Sequence, residues 1–212
     1  MGRRPLVERD VALERIMRRF WTHGYEATSI DDLLQATGMH RGSFYRTFGD
    51  KRSAFIAALG CYETMVGEDH IAPLLTGRGS PSRRLLALLH LRLDAALGRS
   101  GAAPARSESS TVRPGCLVVQ SAVDVAPHDD EVRSTVATSL DAMRAAIGCL
   151  VDEAIAAGEV ADDVDGELAA DQISTLLQGV NVVSCAGGDR RRLRRLLRHT
   201  VQTALRPTVP LD

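Results

Sequence analysis

Between residues 40 and 51 the chain gathers side chains suited to meeting a polyanion. Arg41, Gly42, Ser43, Tyr45, Arg46 and Thr47 fall on one side of a short helical period. Guanidiniums, hydroxyls and a glycine without a Cβ make a face with donors for phosphates and base edges, and with room for close approach. Phe44 and Phe48, at i and i+4, fall on the other side and point inward. A second chemical candidate is Cys116, which opens the apolar run GCLVVQSAV. A thiol at a helix N-terminus is more readily a thiolate, and Arg113 just before it adds to that effect, so Cys116 is a candidate sensor of electrophiles or oxidants. The competing reading is a small buried packing residue. Catalytic motifs are missing: there is no Gly-rich phosphate loop, no CxxC or other metal-ligand spacing, and no GxSxG. Asp129, Asp130, Asp162 and Asp163 read as helix caps rather than a cation site. No enzyme activity, metal or cofactor is expected.

The elements that must position the first face are legible nearby. Thr28 or Ser29 can cap a helix whose first turn carries Asp31 and Asp32. Ile30, Leu33 and Leu34 give it one apolar face, and Gly38 ends it. Met39 plugs the angle to the next helix, which starts near His40. Gly49 and Asp50 then cap a longer helix from Lys51 carrying Phe55, Ala58, Leu59 and Tyr62. Upstream, Leu13, Ile16, Met17 and Phe20 keep helical spacing before Gly24. Residues 6–48 thus form a three-helix unit with the layout of a helix-turn-helix. Periodicity alone equally permits a helical hairpin within some other bundle.

The string GYEATSIDDLLQATGMHRGSFYRTFGDKRSAF resembles the N-terminal DNA-binding domain of the TetR family of transcriptional regulators, continuously from about Phe20 to Phe55. The aromatic-rich GSFYRTFGDK segment is the most specific part. Leu34 and Thr37 depart from the commoner Ala, at packing positions. The resemblance implies that Thr28 and Lys51 contact phosphates. It places Gly42, Ser43, Tyr45 and Arg46 in or beside the major groove, with His40 and Arg41 at the entrance of the recognition helix. Arg46 is the expected reader of a guanine, and Tyr45 of a phosphate or thymine methyl.

Composition fits a helical regulator. Of 212 residues, 44% are hydrophobic but only 4% aromatic, with Ala, Leu and Arg dominant, which favours helices. No apolar run is long enough to span a membrane and no signal peptide is evident, so a cytoplasmic location without membrane contact is expected. The four cysteines are then expected to be reduced. Residues 1–52 hold ten Lys or Arg against seven Asp or Glu, a balance of +3, whereas residues 120–171 stand at −11. The basic end should face DNA and the acidic body should point away. The cluster from Arg190 to Arg198 interleaves with Leu193, Leu196, Leu197 and Val201, so it reads as the outer face of an amphipathic helix.

The fold expected is all-α: a helix-turn-helix domain over residues 1–50 and a larger helical ligand-binding and dimerisation domain over 51–212. In the body, one helix runs from Lys51 to about His70, followed by a loop over 71–79. Ser80 and Pro81 start another helix, and 99–114 form a long polar loop. Four further helices follow, from about residues 115, 129, 166 and 189. Those at 129–157 and 166–186 are apolar on more than one face and carry Ala145, Ala146, Gly148 and Gly179, which suits packing against a second copy. The TetR resemblance implies a homodimer on palindromic double-stranded operator DNA, released by a small-molecule inducer. The Gly-Cys-Leu segment resembles one branch of that family, in which it lines the inducer pocket. Met65, His90, Cys116, Gln120, Met143 and Gln178 are the candidate ligand contacts. The alternatives are an electrophile- or redox-sensing regulator acting through Cys116, and an architectural DNA-binding protein without an inducer.

Overall fold

The computed structural model describes residues 8–98, 115–208 and 210–211, all helix and turn. The expected polar loop over 99–114, with Arg113, lies outside the described residues. The first three helices are α1 (Arg9–His23), α2 (Ile30–Thr37) and α3 (Arg41–Phe48). Their boundaries follow from local chemistry. Ser29 and Asp32 form a reciprocal capping box at the start of α2. Gly38, at φ 72°, closes α2 in the left-handed region and turns the chain toward α3. Arg19 pairs with Asp32 at 2.8 Å, and Arg15 donates to the Thr37 carbonyl at 3.2 Å, so α1 holds both ends of α2.

Helix α4 (Lys51–Val66) starts at the Asp50 cap, whose carboxylate accepts from Ser53 N–H at 2.7 Å. It packs along α1 through aromatic rings. Phe20 meets Phe55 edge-on with centroids 5.0 Å apart, and Trp21 meets Tyr62 in the same way. The expected single helix to His70 and loop over 71–79 are corrected here. A π-helical turn occupies Gly67–Ile71, and a short helix α5 occupies Ala72–Leu75. The reason is Pro73, which has no N–H for the α ladder and crowds the carbonyl four residues back. Ala72 N–H instead reaches the Gly67 carbonyl, five residues back.

The body comprises α6 (Pro81–Ala96), α7 (Leu117–Asp124), α8 (Asp130–Ala156), α9 (Gly166–Cys185) and α10 (Arg190–Leu205), with a 3-10 turn at Ala126–His128. Leu85, Leu88, Leu89, Leu93, Ile147, Leu150, Val151, Ile173, Leu177, Leu197 and Val201 are fully or almost fully buried and form its core. The basic cluster of α10 is partly spent internally, since Arg190 and Arg194 both pair with Asp94 of α6, at 2.7 and 2.6 Å. Helices α8 and α9 each have a second face that the chain itself leaves open. On α9 it carries Leu168, Gly179, Val182 and Val183, and on α8 Ala145, Cys149 and Ile155. Asp129 joins the two halves. It caps α8 by accepting from Glu131 and Val132 N–H, and it also takes Arg52 of α4 at 2.6 Å.

Candidate functional site

Two places in the molecule are chemically distinctive, and a short chain of contacts connects them. The first is the outer face of α3. Phe44 and Phe48 anchor that helix in the core, which turns His40, Arg41, Gly42, Tyr45, Arg46 and Thr47 outward. Tyr45 is 42% exposed although it is a large aromatic. Arg41 pairs with Asp31 of α2, whereas Arg46 reaches only Ser43 Oγ at 3.3 Å and makes no ion pair among the described residues. A Cβ placed on Gly42 would meet nothing within 4 Å, so the protein's own packing does not call for glycine there. Ser43 is half-buried. Lys51, also half-buried, stands 4.3 Å from the Tyr25 ring centroid. Thr28 is turned inward instead: it is buried, its hydroxyl donates to the Gly24 carbonyl at 2.7 Å, and its N–H to Tyr25.

The second place is a partly open cavity of about 180 Å³ bordered by α4, the π turn, α6, α7, α8 and α9. Its lining includes Tyr62, Glu63, Arg92, Cys116, Met143 and Leu177, with Gln178 and Asn181 from α9. Most of the wall is apolar, but Glu63, Thr138, Ser139, Gln178 and Asn181 also line it, and a polar knot sits at one side. Arg92 is 3% exposed. Its Nη1 is 2.9 Å from His70 Nδ1, and its Nη2 donates to the Tyr62 hydroxyl at 3.2 Å and to Cys116 Sγ at 3.8 Å. The Tyr62 hydroxyl in turn donates to Cys116 Sγ at 3.5 Å. Burial, and next the Arg92 charge, hold the His70 pKa down to about 4, so the ring is neutral and can accept. Burial pushes the Tyr62 phenol up, and Cys116 beside it adds to the rise. Burial also raises the Glu63 carboxyl, whose Oε1 accepts from Ser139 Oγ.

The connection between the two places runs through Trp21. Its indole N–H donates to the Gly115 carbonyl at 2.8 Å, and its ring lies edge-on to Tyr62. Gly115 immediately precedes Cys116, the N-cap of α7. A Cβ at Gly115 would force Cys185 Sγ of α9 to turn away and would press on the Asn181 carbonyl. A helix of the three-helix unit is thereby fastened to the cavity wall by a buried hydrogen bond. Arg52 and Asp129 make a second, exposed fastening, and the Arg52 hydrogen bonds hold the Asp129 carboxyl down to about 2.

Of the six candidate ligand contacts, Cys116, Met143 and Gln178 line the cavity. The other three do not. Met65 projects into a surface groove between α1 and α4, on a side of α4 turned about 100° from Val66. His90 turns from α6 toward α10, where Arg194 and Arg198 add to the effect of burial in lowering its pKa. Gln120 points to the junction with Tyr25 and Phe55 and reaches Cys185. Trp21, Tyr62, Arg92 and Asn181 were not among the expected site residues. A signal for Arg92 exists in the sequence: it sits in register with Leu85, Leu88 and Leu89 on an otherwise leucine-rich face.

Among the described residues, no group of three or more His, Cys, Asp or Glu is placed to hold a metal ion. No helix among them is long and apolar enough to cross a membrane. Comparison with known proteins aligns with both distinctive places. Residues 12–58 match the family model of bacterial regulatory proteins, tetR family, and residues 92–200 match that of the tetracyclin repressor-like C-terminal domain. Over 202 residues the chain is 26% identical to the HTH-type transcriptional repressor ComR of Escherichia coli (strain K12), covering 95% of this chain and 90% of that protein. A cysteine mutant of the TetR family transcriptional regulator CifR, complexed with 26bp double-strand operator DNA, is similar at a TM-score of 0.78 and 28% identity, across 96% of this chain and 100% of that one. Reduced NemR of E. coli shares the fold at a TM-score of 0.78 and 18% identity, over 96% of this chain and 98% of that one.

Proposed function

We propose, from the premise that the chain belongs to the TetR family of bacterial regulatory proteins, that it is a homodimeric repressor released from a palindromic operator by a small molecule bound in the central cavity. DNA binding rests on the outward face of α3, with Arg46 reading a base and Lys51 placing the backbone. The open second faces of α8 and α9 pair with those of another copy and set two recognition helices about one DNA turn apart. The observation that carries the effector reading is that Tyr62 and Cys116 line the cavity while Trp21 touches Tyr62 and holds Gly115. An occupant that displaces Tyr62 or the start of α7 acts on α1 directly. Linkage requires such an occupant to bind the DNA-free arrangement more tightly than the DNA-bound one.

The test begins with selection of bound fragments from a random DNA pool. A recovered palindrome with half-sites about one turn apart supports the reading. Its release by compounds that protect the cavity from thermal unfolding supports the effector step. Recovery of random sequence only, or affinity indifferent to every cavity ligand, refutes the corresponding half.

A second reading has its own observation. Cys116 lines the cavity at a helix start, with Tyr62 and Arg92 beside its sulfur. In this reading the signal is an electrophile or oxidant that modifies Cys116. Burial raises the thiols of Cys61 and Cys185, which disfavours their reaction. Alkylation of the native protein decides the matter: Cys116 reacting no faster than Cys61, Cys149 or Cys185 removes the sensor.

A further inference from the structure

Arg92 is a permanent cation, 3% exposed, with no carboxylate beside it among the described residues. A guanidinium stays protonated in any folded setting and is costly to remove from water without a counter-charge. No Asp or Glu lies within ion-pair distance of Arg92 among the described residues. Its three partners are an imidazole, a phenol and a thiol. The first two are neutral at physiological pH, because His70 titrates at about 4 and the Tyr62 phenol is pushed above its ordinary range. Among the described residues its Nε has no hydrogen-bond partner, and it is shut off from solvent. On α9, Asn181 is 2% exposed, lines the same cavity, and has an unpartnered Oδ1. Unsatisfied buried polar atoms are rare in native proteins and call for a missing partner.

We propose that the cavity takes a small monocarboxylate, with its carboxylate on Arg92 and its apolar body against Val66, Val118, Met143 and Leu177. This rests on reading the cavity as the effector site. The planar fork of a guanidinium matches a carboxylate in charge and geometry. A void of roughly 150 Å³ accommodates a benzene ring, so about 180 Å³ fits an aromatic or short-chain acid. Glu63 shares the cavity but is engaged by Ser139 and is not within ion-pair distance of Arg92. The competing counter-charge is Cys116 itself, as a thiolate 3.8 Å from Arg92 Nη2.

The experiment uses the full-length protein and its single tryptophan, Trp21, which abuts Tyr62 and reports on the cavity by fluorescence. The probes are straight-chain acids from butyrate to octanoate, benzoate and 4-hydroxybenzoate, each beside its primary amide. At least one acid binds, and its amide binds roughly tenfold to a hundredfold more weakly, as expected for hydrogen bonds to a charged partner. Arg92→Met abolishes the preference for the acid, and Arg92→Lys, which keeps the charge but not the fork, weakens it. Met143→Phe fills the cavity and blocks binding with the guanidinium intact, so the result does not depend on whether Arg92→Met folds. Equal affinity for acid and amide overturns the carboxylate proposal while leaving the effector cavity standing. Failure of every acid to bind overturns the carboxylate proposal, and the effector cavity is then judged by whether other cavity ligands release the operator. An ultraviolet thiolate signal at neutral pH that vanishes in Arg92→Met assigns the counter-charge to Cys116 and overturns the proposal.

Discussion

Replacing Trp21 by Phe tests whether α1 is fastened to the cavity wall through one hydrogen bond. The indole N–H donates to the Gly115 carbonyl at 2.8 Å in a buried setting, and phenylalanine cannot replace it. Leaving a buried carbonyl unsatisfied costs about 1–3 kcal/mol. The smaller ring adds a void at a residue that is 1% exposed, for about 1 kcal/mol more. The edge-on contact with Tyr62 survives in part, so no further loss is charged to it. The expected loss is therefore about 2–4 kcal/mol, or on the order of 10 °C in Tm for a chain of this size. Circular dichroism measures it, since the variant lacks the fluorophore. The second readout is the ratio of operator affinities with and without a cavity ligand. Such ratios commonly span roughly 5- to 150-fold, and the variant should move toward unity. Tyr62→Phe is the control: it keeps the ring beside Trp21 but removes the hydroxyl that touches Cys116 and Arg92. A loss below about 0.5 kcal/mol would refute the burial argument. A full loss of stability with an unchanged affinity ratio would show that Trp21 packs the two units together without coupling them.

Three other outcomes are expected. Gly42→Ala should stabilise the folded protein by up to about 1 kcal/mol, because a helical glycine is costly and the added Cβ meets nothing, yet operator affinity should fall. Unchanged affinity in a binding titration would mean that DNA does not occupy the space above Gly42. Arg46→Ala should reduce discrimination between operator and random DNA, whereas Lys51→Ala should weaken both and reduce the salt slope by about one; equal losses on both DNAs for Arg46→Ala would count against base reading. His70 has a folded pKa below its unfolded one, so its contribution is complete above about 6.5 and drains away as pH falls toward about 4. Thermal melts across that window should show a decline that His70→Gln flattens, and parallel curves would refute the assignment.

What was legible beforehand is what one helix can report about itself. Phe44 and Phe48 pointed inward from their i, i+4 spacing, and both are buried. Ser29 with Asp32, Asp50 and Ser80 were readable as caps because a cap is a local bond. The all-α architecture followed from the same periodicity. Contacts between distant segments were not readable. Trp21 and Gly115 lie far apart in the chain, and spacing holds no trace of their hydrogen bond. Met65, His90 and Gln120 sit on helices that border the cavity, but a helix has several faces and theirs turn elsewhere. Arg92 was overlooked because its neighbours are leucines, although a charge on a core-facing stripe is itself a signal. The π turn was missed because the proline that causes it also fits an ordinary loop.

That π turn has a consequence of its own. It holds one residue more than the α-helix would use over the same rise. A surplus residue can move along a helix as a travelling defect, each step exchanging one wide ring for the next. Each step rotates the segment it passes by about 100° about the axis, since an α turn takes roughly 3.6 residues. Gly67 and Ile71 belong to the cavity wall and His70 to the knot behind it. Here Pro73 pins the surplus residue to this turn, so re-indexing the wall requires loss of the proline. Over a lineage, substitution at position 73 would free the slippage and let pocket chemistry drift by shifts of register, while the α1–α4 packing beneath the DNA-facing helix stays fixed.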